Sequence, residues 1–131
     1  MCIERPSPIM PGIRYNAFKV MEKVEDGYRP IYPNGLRDPR TFKEGEWYLA
    51  NGVGDDDDAG FHAVLDYDHA VKLFEQRCGY GNGKAYSLLL VTLECGVVYE
   101  QSTNFLCEWF RSGIRGVQMK IIKELDKGVS L

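Results

Sequence analysis

The stretch that most constrains the fold is AYSLLLVTLEC, residues Ala85–Cys95, which has four consecutive aliphatic side chains at its centre. Side chains of a β-strand point alternately to the two faces of a sheet, so an unbroken apolar centre predicts a strand that is covered on both faces. The stretch is far too short to span a membrane. It therefore predicts a strand in the middle of the sheet of a globular domain.

One segment has the period of an amphipathic helix. YDHAVKLFEQRC begins beside Asp66 and Asp68, either of which suits an N-cap, and it ends at Gly79. Its apolar face consists of Ala70, Val71, Phe74 and Cys78. An apolar stripe of this width predicts a helix of about three turns that packs on one face of the sheet.

Shorter segments predict the remaining strands. RYNAFKVMEK and YRPIY are separated by the turn Glu25-Asp26-Gly27, which predicts a β-hairpin. Further strands are predicted for GEWYLAN (45–51), FHAVL (61–65), VVYE (97–100) and VQMKIIKEL (117–125). Trp47 and Tyr48 are adjacent and should face opposite sides of the sheet. TNFLCEWF (103–110) fits either a strand or a short helix.

These elements predict a single compact α+β domain of 131 residues. Its mostly antiparallel sheet would have about six or seven strands, with one main helix packed on it. Residues 1–13 contain Pro6, Pro8 and Pro11, so they are expected to form an extended N-terminal arm. Residues 14–131 would form the domain.

Charge and composition exclude several function classes. The chain is 44 % hydrophobic and 27 % charged, with a formal net charge of −3. Asp55–Asp58 supply four of the negative charges, and without them the net charge is about +1 (−3 + 4). No basic cluster indicates duplex nucleic acid as a partner. No apolar run indicates a membrane span or a secretory signal, so a cytoplasmic protein is expected.

The cysteines and histidines do not have metal-site spacing. Cys2, Cys78, Cys95 and Cys107 lie far apart and form no CxxC pair, and no cysteine lies near His62 or His69 at the spacing of a zinc site. Neither a metal nor a cofactor is therefore expected. The cysteines are expected to be reduced.

The acidic stretch GDDDDAGFHAV first suggests a metal-dependent site. However, a calcium loop alternates its acidic ligands and ends in a distant glutamate, whereas Asp55–Asp58 are adjacent. A solvated loop is the better interpretation. His62 follows in a strand, where it is interpreted as a structural or cleft-edge residue. Cys95 or Cys107 could be its partner in space, but no nucleophile elbow is present, so no catalytic residue is predicted.

The loop GYGNGK (79–84) resembles a phosphate loop only superficially. A P-loop runs from a strand into a helix with the pattern G-x-x-x-x-G-K-[ST], whereas this shorter loop runs from a helix into a strand. A plain connection is the simpler interpretation. The alternative is a turn whose amides contact an anion, with Asn82 as a polar partner.

NFLCEWFRSGIRG (104–116) is the best candidate for a binding segment. Arg111 and Arg115 flank a Ser-Gly turn, and an arginine fork can hold phosphate oxygens bidentately. The adjacent Trp109 and Phe110 can stack a base, and Asn104 can contact ribose or base. The competing interpretation places the aromatic side chains in the core and the arginines on the surface.

Motifs along most of the chain resemble those of a known family. The MCI start, YNAFKV, DGYRP, FKEGEWYLA and GFHAVLDYDHA together resemble small phage-encoded proteins. They look most like the phage anti-defence sponges that counter Thoeris immunity by sequestering a cyclic ADP-ribose isomer. The resemblance implies a non-catalytic, homo-oligomeric binder with pockets at or near subunit interfaces, which lowers the free concentration of an immune signal without cleaving it.

The leading hypothesis is accordingly a sponge for a cyclic ADP-ribose-type nucleotide, with other cyclic nucleotides as further candidate ligands. Arg111 and Arg115 would hold the diphosphate, and Phe110 or Trp109 would stack on adenine. Asn104 or Asn82 would contact ribose or base.

Two alternatives come from other function classes. A protein-directed inhibitor would use Asp55–Asp58 as a nucleic-acid mimic that occupies a basic groove. A small nucleotide- or ADP-ribose-processing enzyme would use His62 with Glu46 or Asp66 as acid–base groups.

Overall fold

The computed structural model describes residues 3–8, 13–31, 40–50, 60–94, 97–101 and 113–131. The described strands and helix, in chain order, are β1 Ile3–Pro8, β2 Arg14–Val24, β3 Gly27–Arg29, β4 Trp47–Leu49, β5 Phe61–Val64, α1 Tyr67–Cys78, β6 Ala85–Glu94, β7 Val97–Gln101, β8 Gly113–Gly116 and β9 Gln118–Val129. The predictions for the Asp55–Asp58 loop and for segment 103–110 fall outside the described residues.

Strand β6 is the central strand that its apolar run predicts. It pairs along its length with β2 on one side and with β9 on the other. Four consecutive residues, Tyr86 to Leu89, are buried, so both faces of the strand are covered. The prediction of a doubly covered central strand is confirmed.

The predicted hairpin and helix are also confirmed. β2 and β3 pair antiparallel across the turn, with Val24 opposite Gly27. Asp66 is the N-cap of α1, and its Oδ1 accepts a hydrogen bond from the Asp68 amide at 2.8 Å. Gly79 is the C-cap, and α1 buries Ala70 and Phe74 against the sheet.

The fold class is α+β, as the sequence predicts. One helix packs on an antiparallel sheet whose strands follow the order β1-β7-β8-β5-β2-β6-β9-β4, with β3 also paired to β2. The sequence analysis expects six or seven strands, and the described residues form nine. One of the additional strands is β1, which lies within the predicted extended arm and pairs with β7.

Residues 42–49 connect two strands that are not neighbours in the sheet order. Phe42 exchanges two backbone hydrogen bonds with Tyr28 of β3, at 2.8 and 2.9 Å. The Gly45 amide then donates to the Ile121 carbonyl of β9 at 2.8 Å, and β4 continues the pairing with β9. Strands β2, β6, β9, residues 42–49 and β3 therefore form a closed circuit, which we call the strand ring.

The strand ring contributes most residues of the larger of two apolar clusters, and β5 and β8 contribute the others. The larger cluster consists of Ala17, Met21, Tyr28, Phe42, Phe61, Ala63, Leu89, Val91, Leu93, Ile114, Met119 and Ile121. The smaller cluster lies under α1 on the opposite face of the sheet and consists of Val64, Ala70, Phe74, Tyr86 and Leu88. Tyr48 packs against the larger cluster, whereas Arg14 lies over the Trp47 ring at 4.8 Å, within cation–π distance.

Strand β2 changes partner along one of its edges. Phe18 pairs with Val64 of β5, whereas Glu22 to Val24 pair with β3. Residues Lys19 to Met21 lie between these two pairings, and we call this part of β2 the fork. Beyond the fork, β5 leads to β8, β7 and β1, which together with β5 we call the wing.

Candidate functional site

The register of the wing places Arg115 opposite His62. β5 and β8 pair antiparallel, with Phe61 opposite Gly116 and His62 opposite Arg115. Directly opposed residues share a face of the sheet. Phe61 belongs to the larger apolar cluster. Because successive residues of a strand face opposite sides of the sheet, the positions of His62 and Arg115 lie on the other face, which carries α1. Two residues that the sequence singled out separately are therefore cross-strand neighbours.

The remaining candidates of the binding segment lie in the connection between β7 and β8. β7 ends at Gln101 and β8 begins at Gly113, and the two strands are antiparallel neighbours with Val97 opposite Arg115. The connection therefore starts and ends at the same end of the wing. It contains Asn104, Trp109, Phe110 and Arg111, which lie outside the described residues.

Chain length limits how far Arg111 can lie from Arg115. The two positions are four residues apart in the chain, which corresponds to at most about 14 Å between their Cα atoms. Arg115 lies in a strand, and Arg111 is two residues before that strand begins.

Asn82 lies away from Arg115, and its side-chain amide is hydrogen-bonded to Tyr86 and Lys84. Its Nδ2 donates to the Tyr86 hydroxyl at 2.7 Å, and its Oδ1 accepts from the Lys84 amide at 3.0 Å. The loop precedes β6, which β2 and β5 separate from β8 in the sheet order. The described residues thus do not bring Asn82 to Arg115, and a ligand would have to displace these two bonds.

Two backbone amides of the glycine-rich loop are already hydrogen-bonded to the hydroxyl of Ser130. The Oγ of Ser130 accepts hydrogen bonds from the Gly81 amide at 2.7 Å and the Asn82 amide at 3.2 Å. Gly81 and Gly83 have φ values of +71° and +76°, which favour glycine. Ser130 is fully buried. The loop connects α1 to β6, and Ser130 links residues near the end of β9 to this turn. The Gly81 and Asn82 amides therefore already have a neutral acceptor.

The structure shows a polar cluster that the sequence analysis missed. The Glu124 carboxylate accepts hydrogen bonds from Ser87 Oγ at 2.7 Å, Tyr28 OH at 3.1 Å and Lys23 Nζ at 3.1 Å. We call these four residues the carboxylate cluster. They come from β2, β3, β6 and β9, and Lys23 and Glu124 are 101 residues apart. No local pattern in the sequence could indicate contacts over such separations.

The environment of the carboxylate cluster shifts the pKa values of its members. Burial raises the pKa of Glu124, but the hydrogen bonds from Ser87, Lys23 and Tyr28 outweigh it, so the net pKa lies below the ordinary value. Burial, together with the hydrogen bond to Glu124, raises the pKa of Tyr28 to about 12. Ser87 is fully buried, so this serine is inaccessible to a substrate. The cluster joins four strands of the strand ring.

No group of three or more His, Cys, Asp or Glu side chains in the described part of the chain could hold a metal ion. Cys78 is a free thiol, and burial raises its pKa. A raised pKa keeps a thiol protonated and makes it a weak nucleophile.

Among the described residues, no helix is long and apolar enough to cross a membrane. Comparison of the chain with protein-family models, with curated proteins and with solved structures finds no match.

Proposed function

We propose that the protein binds and sequesters a cyclic nucleotide-derived immune signal of the cyclic ADP-ribose type without cleaving it, as a phage anti-defence protein in the cytoplasm of the host cell. Other cyclic nucleotides are further candidate ligands. The protein would act as a homo-oligomer and without a cofactor.

The observation that carries this proposal is the register of Arg115 opposite His62. The two positions lie on one face of the wing, and the connection that precedes β8 contains Arg111, Trp109 and Phe110 in its sequence. Arginine holds phosphate oxygens bidentately, and indole or phenyl rings stack on adenine. This combination favours a ligand that carries both a diphosphate and a base.

Sequestration sets a requirement on affinity. A sponge that competes for a signal at micromolar to nanomolar concentration needs a binding free energy of about −8 to −12 kcal/mol. Two charge-assisted arginine contacts and one stacked base can supply a large part of it.

The test is a retention assay. The protein is incubated with a cyclic ADP-ribose isomer, freed of unbound ligand and heat-denatured, and the released ligand is identified by mass spectrometry. Release of the intact isomer is expected. Conversion to ADP-ribose would instead favour the nucleotide-processing enzyme, and the absence of any retained ligand would contradict both.

Variants locate the site. Arg115→Gln should weaken binding about 10- to 100-fold, because one charge-assisted hydrogen-bonding group is lost. The matched control is Arg77→Gln, which removes the same charge from the last turn of α1, where Arg77 lies 5.1 Å from the Tyr80 ring. Equal loss of retention in both variants would refute a site at Arg115.

A further experiment separates the sponge from the nucleic-acid mimic. Replacing Asp55–Asp58 by four asparagines should leave ligand retention unchanged in a sponge, whereas a mimic would lose its inhibitory activity. Native mass spectrometry of the purified protein reports the number of subunits and any retained small molecule in the same spectrum. A monomeric mass would contradict the proposed homo-oligomer.

A further inference from the structure

Two rows of side chains cross β2, β6, β9 and β4 at the end of the sheet that α1 does not cover. The register of these strands places one residue of each strand in each row. We call the eight residues the polar grid, and its rows are Arg14, Glu94, Gln118 and Leu49, and Asn16, Thr92, Lys120 and Trp47. None of the eight is buried, and none belongs to the apolar cluster under α1.

The polar grid lies on the solvent side of these four strands. Ala17, Leu93 and Met119 are neighbours of grid residues in the chain and are fully buried in the larger apolar cluster. Successive strand residues alternate between the two faces, so the grid occupies the opposite face. Neighbouring strands lie about 4.8 Å apart, which makes this surface about 14 Å wide. An open surface of this kind suits an extended chain better than a small molecule, which prefers a concave pocket.

Two cations lie against the aromatic ring of the grid. The Cζ of Arg14 is 4.8 Å from the centroid of the Trp47 ring, and the Nζ of Lys120 is 5.5 Å from it. The two charges are therefore at most about 10 Å apart, with the indole next to both. Both distances are within the range of a cation–π contact.

The charges of the grid are positive in sum. Glu94 is its one carboxylate and lies 3.6 Å from the Nε of Arg14, whose side chain is 61 % exposed. Lys120 takes part in neither of the two ion pairs that the described residues form. The grid thus has a net charge of +1 from two cations and one carboxylate, on a chain whose net charge is −3. This contrast favours an anionic ligand at the grid.

The grid also has neutral polar groups beside the ring. The Oγ1 of Thr92 donates a hydrogen bond to the Oδ1 of Asn16 at 2.9 Å, which leaves the Nδ2 donors of Asn16 for a ligand. Gln118 supplies a further amide with both a donor and an acceptor. Such groups can form hydrogen bonds with the edge of an unpaired base.

We propose that the polar grid binds single-stranded nucleic acid, with a base stacked on Trp47 and phosphate groups held by Arg14 and Lys120. A positive surface that carries an aromatic side chain is the combination that binds single strands. Stacking of a base is worth more than an exposed cation–π contact, so a base can displace a cation from the ring. The displaced cation is then available to a neighbouring phosphate.

This inference goes beyond the proposed sequestration and does not depend on it. The grid belongs to β2, β4, β6 and β9, whereas Arg115 lies on β8 and Arg111 lies in the connection before it. The two sites can therefore be tested separately.

The test is fluorescence anisotropy of a labelled short oligothymidylate titrated with the whole chain. Two phosphate contacts predict that affinity falls about 25-fold when the salt concentration is raised from about 50 to about 500 mM. Inorganic polyphosphate, which has the charges but no bases, should compete poorly, and so should a duplex of the same length. A cyclic ADP-ribose isomer should not compete.

Four results of these titrations would overturn the proposal. They are the absence of binding at about 50 mM salt, competition by polyphosphate as strong as that by unlabelled oligothymidylate, equally strong competition by the duplex, and competition by the cyclic ADP-ribose isomer. The last result would place both ligands at one site, and it would leave the proposed sequestration intact.

Variants locate the binding surface. Trp47→Leu should weaken binding about 5- to 150-fold, because the stacked base loses its platform. Lys120→Gln should weaken binding and reduce the slope of log affinity against log salt by about 0.7, because one phosphate contact is lost. The matched control is Lys72→Gln, which removes the same charge from an exposed position of α1 and should change neither quantity.

The salt slope keeps the test decisive if Trp47→Leu also lowers the stability of the fold. Lys120 is half-exposed, and its replacement leaves the larger apolar cluster intact. Equal slopes for Lys120→Gln and Lys72→Gln would overturn the grid as the binding surface, and so would wild-type affinity in Trp47→Leu.

Discussion

Glu124 accepts hydrogen bonds from the side chains of Ser87, Tyr28 and Lys23, and it should make the stability of the protein depend on pH. Its pKa is lower in the folded state than its ordinary value of 4.5. A group of this kind stabilises the folded state above its ordinary pKa, and this contribution is lost as the pH falls through the folded-state value. The free energy of unfolding should therefore decrease on acidification below about pH 4.5.

The variant Glu124→Gln separates this effect from the titration of other carboxylates. At pH 7 the variant should be less stable than the wild type, because the buried donors of Ser87 and Tyr28 lose a charged acceptor. As the pH falls through the folded-state pKa of Glu124, the difference should shrink, since protonated Glu124 is also neutral. Urea denaturation at pH 7 and at pH 3.5 measures it, and a difference that is constant across pH would show that the Glu124 charge is immaterial.

At the scale of elements, the closure of the strand ring depends on one glycine. Gly27 has a φ of +148°, and a Cβ added there would lie 2.4 Å from the Phe42 carbonyl oxygen. That oxygen accepts the Tyr28 amide in the bridge between β3 and residues 42–49. Gly27→Ala should therefore combine backbone strain with a steric clash that opens this bridge.

Gly45→Ala is the matched control. Gly45 also has a positive φ, +82°, but a Cβ there would meet no atom within 4 Å. It should cost only the strain of the backbone, about 1 kcal/mol. Gly27→Ala should cost at least twice as much in thermal or urea denaturation. Equal costs for the two variants would mean that the Phe42 bridge does not contribute to stability.

The elements differ in how far the sequence predicts them. The helix, the β2–β3 hairpin and β6 follow from periodicity, a capping residue and a turn over fewer than twenty residues each. Closure of the strand ring does not, because Phe42 and Glu44 join it through single-residue bridges that produce no alternation in the sequence. The pairing of β1 with β7 could not be predicted from the sequence either, since the prolines of β1 indicate extended chain but no partner strand.

The candidate site shows the same limit. The sequence analysis named Arg115 as a phosphate-binding candidate and interpreted His62 as a structural or cleft-edge residue. It could not show that the pairing of β5 with β8 places the two opposite each other. That pairing joins residues about fifty positions apart, and such contacts depend on the whole sheet. The carboxylate cluster was missed for the same reason, because burial of a polar side chain is decided by elements distant in sequence.

At the scale of the whole molecule, β2 pairs with the wing over a much shorter length than it pairs with β6. β6 pairs with β2 through nine consecutive residues of each strand, from Arg14 to Glu22 on β2, whereas β5 pairs with β2 at Phe18 alone. Amides of β5 and β8 should therefore exchange with solvent deuterium faster than those of β6 and β9. Hydrogen-exchange mass spectrometry checks this order, and equal protection of both groups would contradict it.

Strand β5 then has a use as a reporter of occupancy. A ligand held by Arg115 would also hold β8 and its partner β5, and the Lys19 side chain is bonded to β5 through the His62 carbonyl. Occupying the wing would thus restrict the movement of β5 where it pairs with β2. The hydrogen-exchange rate of the β5 amides then becomes a measure of what is bound on the far side of that strand.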